Sequence, residues 1–354
     1  MRNKLYINGI AGISAQAGDA VFSGKIAEYH QNIFPAIDEN YKEWVPPMML
    51  RRMSKAVKMA IAAGRKSLID AGIEEPDAII TGTGQGCKQD TGKFLKSMLE
   101  KEEGLLTPTS FIQSTHNTVG GQIALNLKCT AYNVTYTQNS ASLESALLDA
   151  RLQFLEDPAM NTVLVGGVDE IDENITPFDY KDGYLKKEQI SNLQLFNSNS
   201  PGSIASEGAH FFTISSEKSD QSYACLEDLQ IFNSATKEEV ECKIEEFLNL
   251  NSLSSGEIDL VVLGKNGDAE FDDFYSHLQE GIFSEKLQLA YKHLTGEYNT
   301  ASGYAIWLAC ELFRRNEIPE ILRQNDKPSG EIRNILLYNQ YGGRNHSLIL
   351  LSHP

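Results

Sequence analysis

The chain has 354 residues, 48 acidic against 31 basic side chains for a formal charge of −17, 41% hydrophobic content and 22% charge. That is the make-up of an ordinary globular chain with a substantial core, and it excludes extensive disorder. A surface of that sign repels phosphate instead of releasing its counterions, so nucleic acid and anionic lipid are excluded as partners.

No stretch approaches the roughly 20 apolar residues needed to cross a bilayer, and the first seven residues lead into a strand-like segment without the apolar core of a signal peptide. The sequence therefore predicts a cytoplasmic protein. Five cysteines, at 87, 129, 225, 242 and 310, are far apart with no CxxC or Cys/His cluster. Each is expected to be a small buried hydrophobe, and nothing calls for a metal or a cofactor.

In chain order, Leu5 to Ser14 alternates like a strand and runs into a glycine turn. Residues 51–71 carry Met53, Val57, Ala60, Ile61 and Leu68 at helical spacing, closed by Gly72, with Gly64 on the same face. The basic residues Arg51, Arg52, Lys55, Lys58, Arg65 and Lys66 read as a solvated face of that helix, and are the best basic patch for an acidic partner. Ala78 to Thr81 is a buried strand ending in Gly82-Thr83-Gly84-Gln85-Gly86, a strand-to-helix turn, since no lysine follows at phosphate-loop spacing. A small-residue helix at 118–127, a strand at 133–136, a helix at 143–155 and a strand at 163–165 make a βαβ unit and predict a parallel sheet buried on both faces. Residues 181–205 are polar and loop-like. The second half repeats the theme with a helix at 237–249, a strand at 260–263, helices at 270–280 and 303–315, and strands at 334–338 and 347–351 around the turn Gln340 to Gly343. The pattern is a duplicated α/β fold.

Five segments, in order, resemble the β-ketoacyl synthases. Ile7-Asn8-Gly9-Ile10 resembles their opening Ile-Thr-Gly-x strand, Val165-Gly166-Gly167 their Ala-Gly-Gly, and Ser206-Glu207-Gly208-Ala209 their Gly-Glu-Gly-Ala. Lys292 to Gly303 resembles Lys-x-x-x-Gly-His-x-x-Gly-Ala-x-Gly, with Glu297 in place of the histidine. Tyr341-Gly342-Gly343-Arg344-Asn345 resembles the Phe-Gly-Gly-x-Asn loop. The resemblance implies a thiolase-like αβαβα fold of two halves, at 1–215 and 216–354, a homo- or heterodimer, and an acyl pocket gated by the last loop.

In that family a nucleophilic cysteine sits between a strand and a helix N-terminus, where the dipole and free amides activate the thiolate and supply oxyanion donors. Aligning on Thr137 and Leu143 puts Asn139 there; aligning on Ala146 and Ala150 puts Ser140 there. Neither supplies a sulfur. The turn that should carry the first histidine reads Gly264-Lys265-Asn266-Gly267-Asp268, and Glu297 replaces the second. Asn139, Ser140, Lys292 and Glu297 are thus the degenerate catalytic positions, and His116, Asn266, Tyr341, Gly342 and Gly343 the expected pocket positions. Glu297 is expected to pair with Lys292, His293 to point elsewhere, and the acidic run Asp169, Glu170, Asp172 and Glu173 to be a solvated loop.

The resemblance points to a non-catalytic subunit of the chain-length-factor kind, acting in fatty acid or polyketide (aryl polyene) synthesis beside a catalytic ketosynthase, with an acyl carrier protein met directly or through that partner. The alternative is an active acyltransferase or thioesterase with Ser140 as nucleophile and Glu297 or His116 as base.

Overall fold

A computed structural model describes residues 4–328 and 330–354. Ten strands form one mixed sheet: β1 (Leu5–Ile13), β2 (Ala78–Gly82), β3 (Tyr132–Tyr136), β4 (Thr162–Asp169), β5 (Gly208–Ser215), β6 (Ala224–Asn233), β7 (Leu260–Leu263), β8 (Leu287–Ala290), β9 (Asn334–Tyr341) and β10 (Asn345–Ser352). Their order is β8-β7-β9-β10-β6-β1-β5-β4-β2-β3. Read outward from the centre, the first half runs 1-5-4-2-3, and adding five to each label gives the second half. The halves join where Leu5, Tyr6 and Ile7 pair antiparallel with Leu226, Cys225 and Ala224.

Pairing is parallel among β2, β3 and β4 and among β7, β8 and β9. It is antiparallel wherever β5 or β10 takes part, so the expectation of a parallel sheet holds only within each trio. The short apolar runs are strands because both their faces are buried. Leu260 and Val262 of β7, with Ile335 and Leu337 of β9, enter a central core, whereas Val261, Leu263, Leu336 and Tyr338 enter an outer one. In the first half Ala78 and Ile80 face the centre and Ile79 the outside.

Two helices fill the centre. Ser142–Glu156 packs on β2, β3, β4 and β6, and Ser302–Arg315 on β1, β5, β6 and β9. Helices Lys55–Asp70 and Thr118–Leu127 cover one outer face, and Lys237–Leu250 and Asp273–Glu280 the other. The result is the five-layered αβαβα arrangement. Among the described residues no helix is long and apolar enough to cross a membrane.

Several expectations change. The first long helix begins at Lys55, capped by the Ser54 hydroxyl, because residues 47–50 form a separate turn of helix. Its basic residues are not simply solvated: Lys55 pairs with buried Glu207 at 2.6 Å, Lys66 pairs with Glu39, and Arg65 holds Asn126. Cys242 is exposed, unlike the other four cysteines. The polar stretch 181–205 hides Lys186, fully buried, with its ammonium on two carbonyls and the Ser200 hydroxyl.

Candidate functional site

The strands of the two parallel trios deliver their C-terminal turns to one place, a cavity of about 470 Å³. Gln85 follows β2, Asn139 follows β3, Glu170 follows β4, Asn266 follows β7, Glu297 follows β8, and Gly342 follows β9. This is where open α/β sheets place ligands.

The turn after β3 is tight. Asn139 has φ +49°, a left-handed conformation that asparagine tolerates better than most residues, and opens a single 3₁₀ turn into helix Ser142–Glu156. Ser142 Oγ ties it down, donating to the Asn139 carbonyl at 2.6 Å and accepting from Gln138 N at 2.8 Å. Gly82 lets the helix start come close: a Cβ there would lie 2.5 Å from the Ser142 carbonyl oxygen. Asn139 lines the cavity, but Ser140 does not. Ser140 is buried beneath it, and its hydroxyl accepts from Asn345 Nδ2 at 3.3 Å.

Across the cavity Lys292 is fully buried, its ammonium 2.7 Å from Glu297 Oε2 and 2.9 Å from Asn339 Oδ1. Asn266 Nδ2 donates to the same Glu297 oxygen at 2.7 Å. The Glu297 carboxylate is therefore held by an ammonium and an amide. Removing either member of such a buried pair costs about 3–5 kcal/mol, since the other charge is left without compensation. Asp272 accepts from Asn266 N and Gly267 N, fixing that turn, and burial pushes its carboxyl up to about 6.

Of the acidic run at the end of β4, only Glu173 is exposed as a solvated loop would be; the other three residues are not. Asp169 and Glu170 are buried where backbone amides from distant segments point at them, and buried Asp172 accepts from the nearby amides of Asn174 and Ile175. Asp169 accepts from Gly84 N (2.8 Å) and from Thr300 N and Oγ1 (both 2.9 Å), bracing a turn of the first half against one of the second. Glu170 accepts from Ala56 N and Gln89 N, and burial pushes its carboxyl up to about 7. The glycine turn thus spends its amides on Asp169 and holds no phosphate site.

Of the expected pocket residues, Asn266, Tyr341 and Gly342 line the cavity, and Tyr341 stacks on Tyr184 with ring centres 6.4 Å apart. Gly343 lies outside it, against Phe271 and Phe274. His116 is also outside, exposed and packed on Gly86; its place in the chain lies near the site, but its side chain does not enter it. His293 faces Ile321, its Nε2 2.9 Å from that carbonyl oxygen, and burial lowers it to about 4; His210, also buried, is lowered to about 3. Among the described lining residues there is no cysteine and no histidine, but there are seven carboxylates against two cations, Lys88 and Arg344. Lys88 is itself engaged by Asp179 at 3.0 Å. The sequence reading missed these rim carboxylates: Asp179 lies in the short helix Thr176–Lys181, Asp182 caps it and Glu270 sits just before helix Asp273–Glu280, elements too short or too polar at these positions to mark a site.

Fold and cavity together define a thiolase-like condensing-enzyme architecture. The chain belongs to the β-ketoacyl synthase family, residues 28–243 matching the family described as "Beta-ketoacyl synthase, N-terminal domain". Among solved structures it is similar to the ishigamide ketosynthase/chain length factor, with 17% identity, TM-score 0.82 and full coverage of both chains. It is also similar to a β-ketoacyl synthase from Burkholderia phymatum STM815, with 17% identity, TM-score 0.79 and 99% of each chain covered. A third is the ketosynthase (ApeO) in complex with its chain length factor (ApeC) from Xenorhabdus doucetiae, with 15% identity, TM-score 0.78 and coverage of 99% of this chain and 98% of that one. At such identities the likeness is one of fold. No curated protein matches the chain.

Proposed function

We propose that this chain is a non-condensing member of its family, a cytoplasmic chain-length-factor-like subunit that pairs with a cysteine-bearing ketosynthase in polyketide, aryl polyene or fatty acid synthesis. The observation that carries the reading is the cavity wall. Condensation needs a thiolate to hold the acyl group and donors to steady the enolate of the decarboxylating malonyl unit. The wall instead offers Asn139, which cannot be acylated, and Glu297, already held by Lys292 and Asn266. The division at 215/216 into two duplicated halves belongs to the same reading, since it separates β1–β5 from β6–β10.

Two further features support a partner. Strand β3 ends the sheet and pairs with β2 alone among the described residues. Beside it, Leu148, Leu152 and Leu155 form an exposed stripe on helix Ser142–Glu156, and Phe111 and Ile112 are exposed as well. An open edge with apolar flanks invites another chain, and an obligate interface buries about 2,000 Å² or more. The acidic cavity rim repels an acidic acyl carrier protein, so the carrier docks on the partner.

The reading in which Ser140 is a nucleophile has less support, because that hydroxyl is buried outside the cavity and its neighbour Asn345 is not a base. The test is to purify the chain alone and coexpressed with a ketosynthase encoded beside it, then supply malonyl- and acyl-loaded carrier protein. The expected result is a stable heterodimer with condensation dependent on the partner's cysteine. Elongation by the solitary chain, or an acyl adduct on intact-mass analysis that Ser140→Ala removes, would sink the proposal.

A further inference from the structure

Behind the Lys292–Glu297 pair, where the halves meet, lies a second cavity of about 10 Å³. Its walls include Tyr291, Ser302, Asn339 and Ser347. The Tyr291 hydroxyl and Ser302 Oγ are buried without a hydrogen-bond partner among the described residues, and so is Glu144 Oε2. Glu144 reaches this place from the other half: its Oε1 accepts from Ser347 Oγ at 3.0 Å, and the Ser302 hydroxyl faces the same carboxyl. A buried polar atom left unpaired costs about 1–3 kcal/mol, and native proteins leave few of them so. Apolar cavities stay dry, whereas a polar one of about 10–15 Å³ takes one water if two or more partners converge on it. This cavity reaches the lower limit of size, and although Val262, Ala305, Leu337 and Ile349 make most of its wall apolar, the unpaired hydroxyls of Tyr291 and Ser302 belong to residues that line it. Asn339, whose amide oxygen holds the Lys292 ammonium at 2.9 Å, forms part of the same wall.

We propose that this cavity is an ordered-water site, in which one water bonded to Tyr291 OH and Ser302 Oγ links Glu144 of the first half to the Asn339 amide that fixes Lys292. The water site completes the polar floor beneath the ion pair, so that Lys292 is held from the cavity side by Glu297 and from behind by a hydrated network. Its importance, though not its existence, rests on the reading that Lys292 and Glu297 close the family's site.

The test is a high-resolution crystal structure of the wild-type chain and of the Tyr291→Phe/Ser302→Ala double variant, with hydrogen exchange of the 292–296 backbone measured on both. One density peak within hydrogen-bond reach of Tyr291 OH and Ser302 Oγ is expected in the wild type. In the double variant the peak is lost and exchange at 292–296 is faster, while helix Lys237–Leu250 exchanges as before. If the double variant fails to fold, Tyr291→Phe alone preserves the ring and is read in the same way. No wild-type peak, a peak that survives loss of both hydroxyls, or exchange unchanged at 292–296 overturns the proposal. Condensation by the solitary chain would instead sink the closed-site reading and leave the density unaffected.

Discussion

The two halves share one strand order but finish their outer edges in opposite ways. The last strand of the second half, β8, is buried along its length; Leu289 bridges Arg323, and Gln324 N donates to the Gln288 carbonyl at 2.9 Å, so a returning segment covers it. The last strand of the first half, β3, has Tyr132 and Asn133 exposed and, among the described residues, no such cover. The central helices differ in the same sense. Twelve residues of Ser302–Arg315 are buried, whereas Ser142–Glu156 turns Leu148, Leu152 and Leu155 outward. The repeated strand order supplies an internal control: what the second half covers with its own chain, the first leaves open among the described residues.

Paired truncations of the central helices break this comparison most directly. Leu308→Ala opens a cavity in the buried helix and is expected to lower unfolding free energy by about 2–5 kcal/mol. In the solitary chain Leu152→Ala is expected to lower it by about 0.5 kcal/mol or less. Equal losses in denaturant titrations would mean that the stripe is already covered. In the complex the contrast reverses: Leu152→Asp is expected to weaken partner binding by about 2 kcal/mol, roughly 30-fold, as at an interface hot spot. An unchanged Kd would place the interface elsewhere.

A pH titration sharpens the comparison of the braces inside each half. Glu170, raised to about 7 from 4.5, stabilises the fold fully below about pH 4.5, and that contribution is lost as pH rises through about 7. Denaturation midpoints across this window should therefore fall in the wild type and fall less in Glu170→Gln; parallel profiles would refute the burial-raised carboxyl. A modest effect is expected at the covered edge. Asn325→Ala removes the 2.9 Å bond to the Lys286 carbonyl and is expected to cost about 1 kcal/mol, with partner affinity unchanged.

The sequence made the buried strands and central helices legible because both depend on local periodicity. Leu260–Leu263 and the helix at 118–127 fall within the predicted bounds, and the strand expected at 334–338 runs on to Tyr341. β6 escaped notice because Glu227 and Asp228 interrupt its apolar run; Asp228 pairs with Arg151 of a central helix, a partner 77 positions away. Helix Lys88–Glu100 was equally hidden, since the residues it buries are Lys88, Asp90 and Gly92. At the site, family motifs located Asn139, Asn266, Glu297 and Tyr341, but the buried carboxylates were misjudged. What keeps Asp169 and Glu170 inside is amide hydrogens contributed by residues 56, 84, 89 and 300, and no local pattern encodes that convergence.

The left-handed backbone of Asn139 bears on redesign. Because the bend exists independently of any sulfur, Asn139→Cys exchanges one side chain without redirecting the main chain, at the modest strain of a less tolerant residue with φ +49°. On the proposed reading, a thiol installed this way would arrive in the nucleophile's place yet unactivated, sharing the cavity with the Glu297 carboxylate. Under the proposed function, installing condensing chemistry is thus a matter of refurnishing the room, with its walls left standing.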